Sequence, residues 1–251
     1  MVTLPSREAL QVELNAFYAR ALEDIRPLFD EKQAFELSAP MLVSISEAYL
    51  KAPVRVMFVG KETNKWCGTL SGFFAQDDGI NRVLARYRDH LGRGKWKSPF
   101  MQTLSRTAIE LAGGQPEAIL YTNLMKMDWG KGGRGFARNS KKHSDTLSKF
   151  SRDLFRFEVE LLKPDVIIFA AGAPYDSVIK NIFPSEERSE SERVEPKALW
   201  TFNVGSIVCY RARHPSAIAK RGSTFAKTST YYTRIVASVK EDFAHRYAVP
   251  V

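Results

Sequence analysis

The stretch "VRVMFVG", residues 54–60, decides the fold class. It is dense in Val and Phe and ends at a glycine, a pattern typical of a strand that is buried on both faces. Similar apolar runs recur as "AILYTNL" at 118–124 and "DVIIFAAG" at 165–172, with helical stretches between them. Strands and helices that alternate in this way form a mostly parallel sheet covered by helices. We therefore expect an α/β fold, a three-layer α/β/α arrangement with a central, mostly parallel sheet of four to five strands.

Helical periodicity accounts for much of the remaining chain. Ser6 can cap a helix over 6–30, in which apolar residues recur every three or four positions. The other predicted helices cover 42–51, 99–112, 146–163 and 226–246. Two further apolar runs, "ALWTFN" and "SIVCYRA", are separated by a Val-Gly pair and predict a hairpin or an edge of the sheet. The charged residues 185–197 are predicted to form a solvated loop.

The chain contains neither an internal repeat nor a low-complexity linker. We therefore predict a single domain over 1–251 that begins with a helical region at 1–52. The segment 125–145 holds four glycines among several lysines and arginines, a composition too basic and flexible for a core. It is expected to form a basic, glycine-rich loop.

The balance of charge favours a polyanionic partner. The chain has 37 Lys and Arg against 28 Asp and Glu, a formal net charge of +9, which suits nucleic acid or an anionic membrane surface. No apolar run approaches about 18 residues and the N-terminus lacks a secretory pattern, so we expect a soluble, cytoplasmic protein that is not in the membrane. The two cysteines, Cys67 and Cys209, lie far apart and are expected to be reduced thiols.

Polar side chains follow the predicted strands. In open parallel sheets, ligands bind beyond the carboxyl ends of the strands. Glu62 in "GKETN", Asn123 in "TNLMK" and His214 in "YRARHPSA" all lie at such positions, so they could face one cleft. Each also has a purely structural interpretation: a charge near a helix N-terminus, a turn residue, and a histidine that satisfies a loop backbone. The residues alone leave these alternatives open.

The order of the motifs resembles that of the uracil-DNA glycosylase superfamily. In that family an early strand ends in a Gly-Gln-Asp-Pro-Tyr or Gly-Glu-Ala-Pro-Gly loop, a later strand ends in Asn, and a late loop has His-Pro-Ser. Here the corresponding segments are "GKETN" at 60–64, "YTNLMK" at 121–126 and "HPSA" at 214–217. The segment "LLKPDVIIFAAGAPY" also resembles the family's lead into a strand that ends at Gly. The resemblance spans about residues 54–220 and implies a uracil-DNA glycosylase-like fold.

The resemblance implies a monofunctional DNA glycosylase that flips a base out of DNA and hydrolyses its N-glycosidic bond. Glu62 would activate water or stabilise the cationic sugar, and His214 would donate a hydrogen bond to the departing base. Asn123 would pair with the edge of the base, and Phe73 or Phe74 would stack on it. DNA is the implied partner. No metal and no other cofactor is implied, and we expect a monomer.

The departures from the family pattern bear on the substrate. Glu62 replaces the catalytic Asp of the best-known branch, and Thr63-Asn64 replaces its Pro-Tyr. Because that tyrosine closes the pocket against substituents at pyrimidine C5, the smaller Asn64 implies a roomier pocket. The motif's final Pro is Ala217 here, and the four cluster cysteines of some bacterial branches are absent.

The implied DNA contacts surround the late loop and the glycine-rich segment. Ser216 would hold a phosphate, and Ile218 stands where the family places an apolar wedge. The basic residues expected to contact the DNA backbone are Arg211, Arg213, Lys220, Arg221, Lys126, Lys131 and Arg134. Contacts of this kind make binding strongly dependent on salt.

Four functions remain open from the sequence. The first is removal of a modified or damaged base, such as a bulky 5-substituted pyrimidine of phage DNA, in antiviral defence. The second is uracil excision in DNA repair. The third is a catalytically silent nucleic-acid-binding module, which the Asp-to-Glu difference permits. The fourth is a hydrolase that acts on free nucleosides or nucleotides and has no salt-sensitive affinity for DNA.

Overall fold

The structure is a computed structural model that describes residues 5–63, 66–93, 96–129, 144–217 and 226–247. Its helices are α1 (Arg7–Ile25), α2 (Glu31–Glu36), α3 (Glu47–Leu50), α4 (Leu70–Phe74), α5 (Gly79–Gly92), α6 (Pro99–Leu111), α7 (Ser144–Leu162), α8 (Asp176–Ile182), α9 (Thr228–Asp242) and α10 (Ala244–Tyr247). Its strands are β1 (Val56–Gly60), β2 (Leu120–Asn123), β3 (Val166–Phe169), β4 (Arg188–Glu195), β5 (Leu199–Val204) and β6 (Ile207–Ala212). The predicted α/β class is confirmed.

The described strands form one mostly parallel sheet in the order β2-β1-β3-β6-β5-β4, flanked by helices as in a three-layer α/β/α fold. The strands β1, β3 and β6 run parallel and in register, with Val59 opposite Phe169 and Phe169 opposite Arg211. The carboxyl ends of these three strands therefore lie at one edge. The predicted hairpin is the antiparallel pair β5 and β6.

The sheet has six strands within the described residues rather than the predicted four to five, because residues predicted as a solvated loop form β4. This strand pairs antiparallel with β5 at the edge of the sheet and exposes most of its residues. A strand that is exposed on both faces has no apolar alternation for the sequence to reveal. Charged side chains on such an edge also prevent pairing with other chains.

Most predicted helices are confirmed, with ends that differ by a few residues, but the one at 42–51 is largely wrong. Only Glu47–Leu50 is helical there, and it begins where the Ser46 side chain accepts a hydrogen bond from the Tyr49 N–H. Residues 42–45 are buried but not helical. Leu42, Val43 and Ile45 are apolar because the segment is buried, and this apolar pattern was mistaken for that of a helix.

The chain divides into two compact units, each made of alternating segments. The first unit comprises Met1–Ile45, Lys61–His90 and Thr122–Lys163. Within it, α1 packs against α7 and the rings of Phe17 and Phe157 stack with their centroids 3.9 Å apart. The second unit comprises Ser46–Gly60, Leu91–Tyr121 and Pro164–Val251. The single domain predicted over 1–251 stays a prediction.

The second unit contains most of the sheet. Helix α6 packs against α9, and the ring of Phe58 on β1 contacts Phe100 on α6 and Tyr232 on α9. All residues of β1 and β3 are buried, as predicted for strands covered on both faces. Among the described residues, no helix is both long and apolar enough to cross a membrane.

Candidate functional site

The loop that follows β1 carries Glu62, whose side chain is half-buried. The residues on both sides of it are tied to the segment 124–128. The Lys61 carbonyl accepts a hydrogen bond from the Met125 N–H at 2.8 Å. The Thr63 hydroxyl donates to the Asp128 carboxylate. The loop therefore has a defined conformation up to Thr63, while Asn64, predicted to border the base, lies outside the described residues.

Ser38 joins this arrangement from a third segment. Its hydroxyl oxygen lies 2.9 Å from the Thr63 hydroxyl and accepts from the Asp128 N–H at 3.0 Å. The Ser38 N–H in turn donates to the Asp128 carbonyl at 2.9 Å. Ser38, Thr63 and Asp128 are all buried. The sequence prediction missed this set because its members lie far apart in the chain.

Asn123 is the last residue of β2, as predicted, and it is almost fully buried. Its amide nitrogen lies 2.9 Å from the Met41 sulfur. A thioether sulfur is a weak acceptor, so this contact competes poorly with a carbonyl or ring nitrogen of a ligand. The amide is thus held by a weak partner, and base binding by Asn123 stays a prediction because the side chain is almost closed to solvent.

Lys126 is not accessible to DNA, contrary to the prediction, because its side chain is fully buried. Its ammonium group donates to both Glu158 oxygens, at 2.7 and 2.5 Å, and to the Thr122 hydroxyl at 2.5 Å. Burial lowers the pKa of Lys126, and the Glu158 carboxylate opposes that shift. The Tyr18 hydroxyl completes the group by donating to Glu158 at 2.7 Å. We call these four side chains the Lys126–Glu158 network.

A sequence signal for this network exists in α7. Glu158 follows Leu154 by four residues and precedes Leu162 by four, so helical spacing places it on the same buried face as both leucines. A carboxylate on an apolar face needs a buried cation, since an isolated buried charge is very costly. Lys126, set between Met125 and Met127, is such a cation.

Phe73 and Phe74 occupy α4, and their rings meet edge to face with centroids 5.3 Å apart. Phe73 is a core residue, so only Phe74 could stack on a base. Phe74 lines a groove of about 580 Å³ and lies beneath the Arg26 guanidinium, 5.1 Å from the ring centroid. The groove is also lined by three exposed carboxylates, those of Glu23, Asp77 and Asp78. These carboxylates repel phosphate, so the groove gives the stacking prediction for Phe74 no support.

In the second unit, His214 follows β6 by two residues and is half-buried. Its ring stacks on that of Phe100, with centroids 5.6 Å apart and an interplanar angle of 24°. Its Nδ1 accepts a hydrogen bond from the Ser216 N–H at 3.2 Å. A neutral imidazole in this arrangement carries its proton on Nε2, so Nε2 is the nitrogen that can donate.

Helix α9 holds both ends of the His214 loop, residues 213–217. The Tyr232 hydroxyl donates to the Arg213 carbonyl at 2.7 Å, and the Thr228 hydroxyl donates to the Ala217 carbonyl at 2.9 Å. Burial raises the pKa of Tyr232 well above its usual range, so its hydroxyl stays protonated. The loop also passes Gly172, where an added Cβ would lie 3.6 Å from the backbone nitrogen of His214.

The prediction that Arg211 contacts DNA is also wrong, because its side chain is fully buried within β6. Its guanidinium forms an ion pair with Asp176 at 2.7 Å. Burial lowers the pKa of Arg211, and Asp176 opposes that shift. Arg211 pairs with Phe169 on β3 and with Trp200 on β5, and both of these neighbours are buried as well.

The remaining residues that were predicted to contact DNA fall into two groups, those that the structure describes and those that it does not. Arg213 is half-buried and Ser216 is exposed, so both are accessible. The other residues predicted to contact DNA lie outside the described residues, namely Ile218, Lys220, Arg221, Lys131 and Arg134.

Comparison of the sequence with protein-family models and with curated proteins gives no match.

Proposed function

We propose that the protein is a DNA glycosylase that hydrolyses the N-glycosidic bond of a flipped modified or damaged base. Breaking this bond develops positive charge on the deoxyribose and negative charge on the departing base. The reaction therefore needs a carboxylate near the sugar and a hydrogen-bond donor near the base. Glu62 is the proposed carboxylate and His214 is the proposed donor.

In the proposed reaction, the oxygen of a water molecule attacks C1′ of the sugar while the bond from C1′ to the base nitrogen breaks. The bonding electron pair leaves with the base. Glu62 acts in its ionised form, either by accepting a proton from the water or by stabilising the sugar cation. The proton that the water loses ends on the free base or in solvent, and the DNA keeps an abasic sugar.

The hydrogen bond from Ser216 to Nδ1 supports the role of His214. It favours the neutral tautomer with the proton on Nε2, and that proton can stabilise negative charge on a base oxygen without being transferred. The Phe100 ring fixes the plane of the imidazole. A preorganised donor of this kind lowers the barrier more than one that must reorient during the reaction.

Substrate choice depends on Asn123 and Asn64 in this proposal. The Asn123 amide offers a donor and an acceptor to the edge of a base. The small side chain of Asn64 is proposed to leave room for a substituent at pyrimidine C5. Thr63 has no part in this, because its hydroxyl is hydrogen-bonded to Ser38 and Asp128. A bulky 5-substituted pyrimidine, such as one in phage DNA, is the proposed substrate, and antiviral defence is the proposed role.

One observation carries the proposal: a carboxylate and an imidazole donor each stand two residues beyond a strand of the parallel set. Glu62 follows the end of β1 and His214 follows the end of β6. The position beyond such strand ends is where open α/β sheets bind ligands.

The test is to incubate the protein with uracil-containing, unmodified and phage-modified DNA and to measure abasic sites. We expect abasic sites in the phage-modified DNA. Base release from uracil-containing DNA alone would contradict the prediction of a roomy pocket and support a repair enzyme. Binding to DNA without any base release would support the silent binding module instead.

The burial of Lys126 and Arg211 favours a second candidate, a hydrolase of free nucleosides or nucleotides. Both residues were predicted to contact DNA, and both are held in interior ion pairs. Such a hydrolase would release base from nucleosides, and its activity would depend little on salt. The glycosylase predicts instead a DNA affinity that falls steeply between 50 and 200 mM salt.

A further inference from the structure

The hydrogen bonds among Ser38, Thr63 and Asp128 close a ring in the first unit. Each hydroxyl has a single proton, and an ionised carboxylate can only accept. The Thr63 proton goes to the Asp128 carboxylate, so the Thr63 oxygen is left as an acceptor for the Ser38 hydroxyl, which also reaches the Ala39 carbonyl at 3.0 Å. The Ser38 oxygen accepts from the Asp128 N–H, which completes the circle. The donors Thr63 and Asp128 N–H are thus assigned, and the Ser38 hydroxyl is shared between the Thr63 oxygen and the Ala39 carbonyl.

The ring is buried, and this makes it stiff. Ser38, Thr63 and Asp128 are 6%, 7% and 4% exposed. At these exposures a carboxylate or hydroxyl without a partner costs about 1–3 kcal/mol, so the bonds resist opening. Hydrogen bonds in a closed chain also polarise one another in the interior.

Both neighbours of Glu62 are fixed through the segment 124–128. The Met125 N–H holds the Lys61 carbonyl, and Asp128 holds the Thr63 hydroxyl. This segment is itself fixed by the Met41 N–H, which donates to the Lys126 carbonyl at 2.7 Å. The Glu62 backbone is therefore restrained from both sides, although Glu62 takes no part in the ring.

We propose that Ser38, Thr63 and Asp128 are positioning residues that hold Glu62 in the geometry its reaction needs. This inference rests on the proposed glycosylase function. The three side chains act through the backbone at 61–63 and do not touch the substrate, because they are buried and bonded to one another. A reacting group displaced by about 1 Å can lose about 100-fold in rate, which sets the size of the expected effect.

The experiment compares Thr63→Val with Thr63→Ser in single-turnover base release, with DNA affinity measured separately. Valine keeps the shape of threonine but has no hydroxyl, so it breaks the ring at two bonds. We expect a rate 10- to 100-fold below the wild type, with a Kd for DNA changed less than about threefold. Serine keeps the hydroxyl and is expected to restore the rate to within about threefold.

A matched control is Thr107→Val. Thr107 is a buried threonine in α6 whose hydroxyl donates to the Thr103 carbonyl of its own helix. Its replacement removes one buried hydroxyl without touching the Glu62 loop, so the rate of base release should stay within about twofold of the wild type. A loss of rate in both valine variants would assign the effect to general destabilisation and overturn the positioning role.

The outcomes separate the two proposals. If the wild type releases base and Thr63→Val releases it equally fast, the positioning role fails while the glycosylase stands. If the wild type releases no base from any DNA or nucleoside, the glycosylase fails and the positioning role fails with it. If Thr63→Val does not fold, Ser38→Ala breaks the same ring with a smaller change, and an unchanged rate in that variant contradicts the proposal.

Discussion

Glu62 and His214 each follow a strand by two residues, yet their loops are held in place by different chemistry. The Glu62 loop is anchored by buried hydroxyls and a carboxylate, and the same unit contains the Lys126–Glu158 network. The His214 loop is held by an aromatic ring and by two hydroxyls from α9 that donate to backbone carbonyls, and the Gly172 N–H donates to the Ala212 carbonyl just before it. The first arrangement depends on buried hydrogen bonds between side chains, one of which is a carboxylate. The second depends on a ring contact, on backbone conformation and on hydrogen bonds from hydroxyls to backbone carbonyls.

This difference matters because the two kinds of anchor fail in different ways. Removing one member of a buried polar network leaves its partner without a bond, and the cost is that of an unsatisfied or unpaired group. Removing one contact of an aromatic or backbone anchor costs that contact alone. Substitutions in the first unit should therefore show strong coupling between partners, and those around His214 should be nearly additive.

The largest effect is expected for Glu158→Leu, which leaves the Lys126 ammonium buried and unpaired. We expect a loss of about 3–5 kcal/mol in the free energy of unfolding, measured by urea denaturation. The double variant Lys126→Met, Glu158→Leu removes both charges and should recover most of that loss. Equal losses in the single and double variants would show that the network is not held by charge pairing.

A smaller loss is expected for Gly172→Ala, near the His214 loop. Gly172 has φ 79° and ψ 167°, a conformation that is essentially restricted to glycine. An added Cβ would meet its neighbours at ordinary contact distances, so the cost is conformational and about 1–3 kcal/mol. Gly92→Ala is the matched control, since Gly92 lies in α5 without a positive φ and its Cβ would meet nothing within 4 Å. If both variants have the stability of the wild type, backbone conformation does not anchor this loop.

The smallest effect is expected for Tyr232→Phe, which removes the hydrogen bond to the Arg213 carbonyl. The loss should be about 1 kcal/mol at neutral pH. Because burial raises the pKa of Tyr232 in the folded state, its contribution is fully present below the unfolded pKa of about 10. It is lost as the pH rises above that value, so the two proteins should converge in alkali. Urea denaturation from pH 6 to 11 measures this, and a difference that grows with pH would contradict it.

The sequence was sufficient to predict the α/β class, five of the six strands and the strand-end positions of Glu62, Asn123 and His214. Apolar runs reveal buried strands, and the strand-end rule then locates the polar residues. The same signals failed for β4, because an exposed edge strand has no apolar side. They failed for 42–45, because a buried segment outside any helix can be as apolar as the buried side of a helix.

The errors at Lys126 and Arg211 share one physical cause. A lysine or arginine in a basic protein suggests a surface cation unless its partner is known, and the partners Glu158 and Asp176 lie 32 and 35 residues away. The ring at Thr63 escaped prediction for the same reason, since Ser38 is 25 and Asp128 65 residues distant. Long-range pairing of polar groups is decided by the fold, and a single sequence does not display it.

The central claim is that Glu62 is the catalytic carboxylate of a DNA glycosylase. The most direct measurement is the single-turnover rate of abasic-site formation in phage-modified DNA by the wild type and by Glu62→Gln. Glutamine keeps the size of the side chain and removes its charge, so we expect a rate about 100- to 10,000-fold lower with unchanged DNA affinity. Equal rates for the two proteins would contradict the claim.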